Sequence, residues 1–169
     1  LAFSKTTGFA KMNFGAGGEV GNFGSAALSP NGDLVPTIAL DDMQIDHLAL
    51  LKIDVEAHEW EVFQGAEKTI CSCRPVIYFE AERLSGTVAS IEFLRERGYR
   101  CFWHFVHFYC ADNFRSNSDD MFRGVGHMNI LAVPQENAQP DDLPEINAAD
   151  EDWREVYLGF YSARGLAIP

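Results

Sequence analysis

Basic residues are scarce. Lysine and arginine number 13 against 25 aspartates and glutamates, a formal charge of −12 over 169 residues. None falls between Met12 and Leu51. So acidic a chain repels phosphate backbones, which argues against nucleic acid as a partner. Long apolar runs are missing too. No stretch approaches the roughly 20 residues of a membrane-spanning helix, and no basic, apolar leader opens the chain, so a cytoplasmic location and no membrane partner are expected. Cysteine is sparse: Cys71, Cys73, Cys101 and Cys110 are too scattered for a disulfide scaffold and lack the paired spacing of a zinc site. They read as reduced thiols. No internal repeat is present. What remains is ordinary globular composition, 47% apolar and 22% charged, in a length that suits one domain or a piece of a larger one. The first residue is Leu1 rather than Met, and an upstream portion is expected.

The acids are unevenly spread. Between Pro134 and Asp152 stand Glu136, Asp141, Asp142, Glu145, Asp150, Glu151 and Asp152, with three prolines and no basic residue. Mutual repulsion and proline predict a solvated connector over 135–152. Trp153, Val156, Tyr157, Phe160 and Tyr161 then recur at helical spacing, so 153–169 is expected to form a short tail helix on the core or on a partner. Residues 1–134 form the body. Within it, 48–55 is a short apolar run, and from Glu59 the period changes: Trp60, Phe63, Ala66 and Ile70 predict one amphipathic helix. Residues 76–79 form a second buried-type strand ending on Glu80. Ser85 or Thr87 is a candidate cap for a helix presenting Val88, Ile91 and Leu94, which Gly98 stops. Residues 99–109 and 126–133 are two further strands, antiparallel neighbours because no helix separates them. The alternation predicts βαβ units and a mostly parallel α/β sheet. The N-terminal third reads as short strands and turns, with a tight turn at 30–33.

Lys52, Asp54 and Glu56 alternate, so an extended strand turns all three to one face. A helix follows at once, and ligands of parallel sheets bind at the carboxyl ends of the strands. Asp54 and Glu56 therefore belong at the mouth of a cleft, and Glu80 ends the next strand in the same way. Such carboxylates bind hydroxyls, a metal or a cation, or take up a proton, although either can also merely cap a helix. His58 either faces that cleft or sits on the surface of the first helical turn. Asp41 and Asp42 are expected to cap the turn before Met43. The glycine-rich stretch 15–21 has neither a strand before it nor a helix after it, so it fails as a dinucleotide loop. His104 and His107, three apart on a strand, face opposite ways and do not form a metal pair.

Leu51-Lys52-Ile53-Asp54-Val55-Glu56-Ala57-His58-Glu59, continued by Glu61-Val62-Phe63-Gln64-Gly65-Ala66, resembles the signature of FkbM-type methyltransferases. Supporting runs follow in order: Val35-Pro36 to Asp41-Asp42, Arg74-Pro75 to Glu80, Phe93-Leu94 to Gly98-Tyr99, and Asn129 to Pro134. One departure is Ala57, where the family usually carries glycine and where alanine tolerates positive φ poorly. The resemblance implies a Rossmann-like class I fold with an antiparallel last strand. It also implies methyl transfer from S-adenosylmethionine, chiefly to hydroxyl oxygens of sugars or other small metabolites. The opening strand, the glycine-rich cofactor loop and the second strand's ribose-binding acid have no counterpart upstream of the match, so the chain is similar to the C-terminal part of such an enzyme, without its first strands.

On that reading Asp54 lies nearest the transferred methyl and orients or deprotonates the acceptor, while Glu56 and Glu80 hold acceptor hydroxyls or tune Asp54. Residues 111–125 join the same rim, making Arg115, Asp119, Asp120 and Arg123 candidates for acceptor selection beside His58. Two other readings compete. One is a non-catalytic α/β interaction module using the aromatic tail and an exposed sheet edge. The other is a metal-dependent α/β hydrolase built on Asp54, Glu56 and Glu80.

Overall fold

Alternate burial along the strands divides the molecule into two sheets in a computed structural model that describes residues 1–13, 27–81 and 84–164. The glycine-rich 15–21 stretch lies outside them. In the N-terminal third, β1 (Ala2–Phe3), β2 (Gly8–Asn13), β3 (Ala27–Leu28) and β4 (Asp33–Ile38) form a sheet in the order β1-β4-β2-β3. β2 runs antiparallel to β4, from Gly8 opposite Thr37 to Met12 opposite Asp33. Gly32, in the predicted turn, has φ 143°, and a side chain there would strike the backbone of Met12.

The second sheet holds the main core. It contains β5 (Leu50–Ile53), β6 (Val76–Glu80), β7 (Tyr99–His107) and β8 (Gly126–Pro134), in the order β5-β6-β8-β7. Only β5 and β6 pair in parallel; β8 lies antiparallel to both of its neighbours. The sheet is therefore mixed rather than mostly parallel. The last strand enters between two others instead of adding at an edge, which converts two of the three pairings. The expected antiparallel pairing of the last two strands is present. Ile53, Ile77, Phe79, Cys101, Trp103, Ile130 and Ala132 are buried from one face of this sheet. There they meet α1 (Glu59–Gln64), α2 (Glu67–Cys73) and α3 (Leu84–Glu96), with Phe63 edge-on to Phe79 at 5.0 Å. Burial pushes the Cys101 thiol up to about 12, and all four cysteines are free.

The single helix expected over 59–70 is broken at Gly65 and Ala66. A side chain on Gly65 would come within 2.2 Å of the Ser4 carbonyl oxygen, so the N-terminal sheet presses against the break. The new helix start needs its own cap, and Asp41 supplies it. Its carboxylate accepts from Lys68 N at 3.0 Å, Thr69 N at 2.8 Å and Thr69 Oγ1 at 2.9 Å, while its own N–H donates to Gly65 O. Asp41 and Asp42 lie inside a 3₁₀ turn, Leu40–Met43, and neither caps it. Ser85 and Thr87 likewise fall inside α3 rather than before it. Gly98, at φ 73°, ends that helix as expected.

The acidic segment does more than connect. Trp103 N donates to Pro144 O and Ile146 N to Cys101 O, so residues 144–146 cover the outer edge of β7 with Ile146 buried. Pro144 and Ile146 bury here while the Glu145 side chain turns to Arg100, a distinction that a charge count misses. Arg74, left-handed at φ 52° as it ends α2, forms a second tie. It donates to Arg97 O and Gly98 O, pairs with Glu136 at 2.8 Å and lies over the Tyr99 ring. The tail helix, α4 (Trp153–Ala163), is capped by Asp152 and packs on the core: Trp153 stacks on Phe105 at 5.7 Å, and Tyr157 and Tyr161 are buried.

Two predictions follow from these ties. Replacing Asp41 by Ala removes three hydrogen bonds at a helix start and lowers the unfolding free energy by about 2 kcal/mol in denaturant titration. Hydrogen bonds from Arg74 hold the Glu136 carboxyl down to about 2, against an ordinary 4.5. A depressed carboxylate stabilises fully above its unfolded value, and that contribution is lost as pH falls through the folded one. E136Q will therefore flatten the fall in thermal midpoint between pH 4.5 and pH 2 relative to wild type.

Candidate active site

The strand carboxyl ends supply the site. β5 stops at Ile53, and the chain then turns sharply, because Glu56 and Ala57 are both left-handed, at φ 52° and 67°. Each such non-glycine residue costs roughly 1–2 kcal/mol, and strain of this kind collects at functional turns. Ala57 thus occupies the conformation that favours glycine. The three-residue alternation expected for Lys52, Asp54 and Glu56 ends with the strand: Lys52 Nζ meets Asp54 Oδ2 at 2.6 Å, and Glu56 is carried onto the turn. Asp54, Val55, Glu56 and His58 line a concavity of about 430 Å³, closed on the other side by Leu1, Ala2, Phe3, Met12 and Leu28. One wall is anionic and the other apolar.

His58 precedes α1 and lines this concavity, with its ring held at both nitrogens: Nε2 lies 3.1 Å from Ser4 Oγ and Nδ1 3.3 Å from Glu61 Oε2. Glu59 is buried and folds back to accept from Val55 N. That carboxylate braces the turn, a role that its place in the helical pattern gave no sign of.

Glu80 ends β6 at the position next to Asp54's in the β5–β6 register, opposite Asn129 of β8. It does not converge with Asp54 and Glu56: among the described residues no group of three or more His, Cys, Asp or Glu side chains is placed to hold a metal ion. Its partner is His127, whose Nδ1 contacts Glu80 Oε1. Beside this pair on the same face, Tyr78 OH and His104 Nδ1 are 2.9 Å apart. Burial raises the Tyr78 phenol and lowers the His104 imidazole, which favours a bond between two neutral groups. Lys52, Tyr78, Glu80, Asn129 and His104 thus share the sheet face opposite the helices, by register. Of this row the linear pattern marks Glu80 and Lys52 as site residues and sets His104 aside, because the row is gathered by long-range pairing.

The loop over 108–125 leaves the carboxyl end of β7, which runs in the same direction as β5 and β6, and so joins the same rim. Asp120 folds it by accepting from Phe122, Arg123 and Gly124 backbone N–H groups. Arg115, Asp119 and Arg123 are placed with it; both arginines are exposed, and neither forms an ion pair with Asp54 or Glu56. Phe114 and Met121, also strongly exposed, give the loop an apolar surface that charge-based reading passed over.

The carboxylate-bearing strand ends over a mixed sheet make this an α/β domain with a candidate site at the β5 side of the sheet. Residues 8–101, more than half of the chain, match the family model of the methyltransferase FkbM domain, and the chain belongs to that methyltransferase family. No curated protein and no solved structure gives a match. The described residues include no helix long and apolar enough to cross a membrane.

The turn itself can be tested. Glycine at 57 relieves left-handed strain but adds chain entropy in the unfolded state. The strain is the larger quantity, so A57G will raise the unfolding free energy by up to about 1 kcal/mol in chemical denaturation.

Proposed function

We propose that the protein methylates a hydroxyl oxygen of a sugar or other small hydroxylated metabolite, with S-adenosylmethionine as donor. The observation that carries this reading is the concavity at the β5–α1 turn, whose carboxylate wall falls inside the segment that matches the family. Its lining fits the donor: Asp54 and Glu56 suit the sulfonium and ammonium charges, and Leu1, Phe3 and Met12 suit apolar parts. When bound, the donor supplies a methyl group already activated on sulfur. The protein's remaining tasks are alignment and handling of the hydroxyl proton.

Asp54, paired with Lys52, orients the acceptor from the carboxyl end of β5. Glu56 borders the same space, and Glu80 stands one strand away beside His127. His58, fixed by Ser4 and Glu61, shapes the wall. Arg115 and Arg123, with Asp119 and Asp120, select the acceptor from the loop above. No nucleic acid enters this reading, since the net charge opposes it.

The test is titration calorimetry of the full-length polypeptide with S-adenosylmethionine, followed by assay of S-adenosylhomocysteine release with a panel of sugars. Saturable binding and acceptor-dependent release are expected; no binding by the full-length protein rejects the reading. D54N will cut turnover by about 10²-fold or more. Because Lys52 and Asp54 are an exposed pair, its unfolding free energy will move by less than about 0.5 kcal/mol.

A further inference from the structure

The Asp54 carboxylate already has a partner, the Lys52 ammonium at 2.6 Å. The next strand offers a better arrangement. Glu80 has a side chain only 12% exposed, whereas that of His127 is 52% exposed. The carboxylate is thus the more sheltered member of the pair and the imidazole the more accessible one. An ionised carboxylate can only accept a hydrogen bond, so its contact with His127 Nδ1 requires the proton on that nitrogen. Nε2 of the neutral ring is then left with its lone pair. The Phe108 ring packs edge-on against the imidazole at 4.6 Å and limits its rotation.

The position is also right. Glu80 stands at the carboxyl end of β6 and His127 on the first turnward residues of β8, directly below the 108–125 loop. A base held by a carboxylate through its far nitrogen is the arrangement that activates hydroxyl groups elsewhere in enzymology. Nothing in the linear sequence joins the two, since 47 positions separate them. Beside them by register, Asn129 of β8 and His104 of β7 extend the polar row.

We infer that His127 is the general base for the acceptor hydroxyl, with Glu80 as its positioning residue. This rests on the methyltransferase reading above. In the step, the acceptor O–H bond breaks and a bond from hydrogen to His127 Nε2 forms. The electron pair stays on oxygen for the methyl carbon that it attacks, and the imidazolium later returns the proton to water. Glu80 stabilises that imidazolium and holds the tautomer, without itself gaining a proton.

Long-range ¹H–¹⁵N spectra of the histidine rings in the full-length protein read the arrangement without any acceptor. His127 in wild type is expected as the Nδ1–H tautomer, and E80A will shift it toward the Nε2–H form that dominates in free histidine. A wild-type ring protonated on Nε2 overturns the inference and leaves the methyltransferase reading intact. Diethyl pyrocarbonate provides a second measurement: His127 should be acylated fastest of the five histidines, and slower in E80A. Equal rates in the two proteins count against Glu80 as its positioning residue. With a sugar acceptor that wild type turns over, H127A should lose about 10²-fold or more in kcat, with KM for the donor unchanged. Millimolar imidazole should restore part of that loss, which a merely structural role would not allow. Unchanged kcat overturns the assignment, whereas failure of wild type to bind the donor rejects the methyltransferase reading itself.

Discussion

The Asp41 carboxylate is the point on which the rest of the structure depends. Three donors at the start of α2 would otherwise be left without partners, and they converge on this one side chain of the 3₁₀ turn after β4. The same residue's backbone N–H reaches Gly65 O, so donor and acceptor bind the break between α1 and α2 from both sides. Because the N-terminal strands are anchored here, Ser4 comes close to Gly65 and to His58. The apolar wall of the concavity is thus held in place by polar contacts at the α1–α2 break. Packing alone would leave that wall poorly registered, since Phe9 and Leu34 of the same sheet are largely in solvent.

The electrostatics at the sheet edge are organised in pairs. Asp54 has Lys52, Glu80 has His127, and Tyr78 has His104, each on the same face and each drawing its members from nearby strands or positions. A row of this kind keeps an acidic chain from concentrating repulsion where ligands must approach. It also divides the labour between carboxylates: one exposed and pinned by an ammonium, one nearly buried behind an imidazole. Chemical difference between like residues comes from such surroundings rather than from residue type.

Much of this was legible from the linear pattern. Short apolar runs ending on Asp54 and Glu80, the 3.6-residue period after Glu59, Gly98 as a stop and two helix-free neighbouring strands all state local preferences that the fold obeys. So does Ala57, whose substitution for glycine at a sharp turn flagged the left-handed backbone found there. The remainder was hidden because it depends on contacts between distant segments. The break at Gly65 is set by Ser4, the capping role of Asp41 by a helix 26 residues later, and the partner of Glu80 by the register of β8. Residues 144–146 were masked by the acids around them, although Pro144 and Ile146 are the ones that bury. The strand order itself, with β8 inserted between β6 and β7, is invisible to any reading that counts alternation along the chain.

The three tryptophans happen to divide the molecule between them. Trp60 packs edge-on against Phe93 between α1 and α3, Trp103 is buried in β7, and Trp153 stacks on Phe105 from the tail helix. Each indole therefore samples a different layer, and their emission is a built-in optical readout. Loosening of α4 would red-shift the Trp153 contribution and disturb Trp103, whose indole N–H donates to Glu151, while Trp60 reports on the distant α1–α3 packing. Single-tryptophan versions of the chain would let undocking of the tail be timed separately from loss of the core, by light alone.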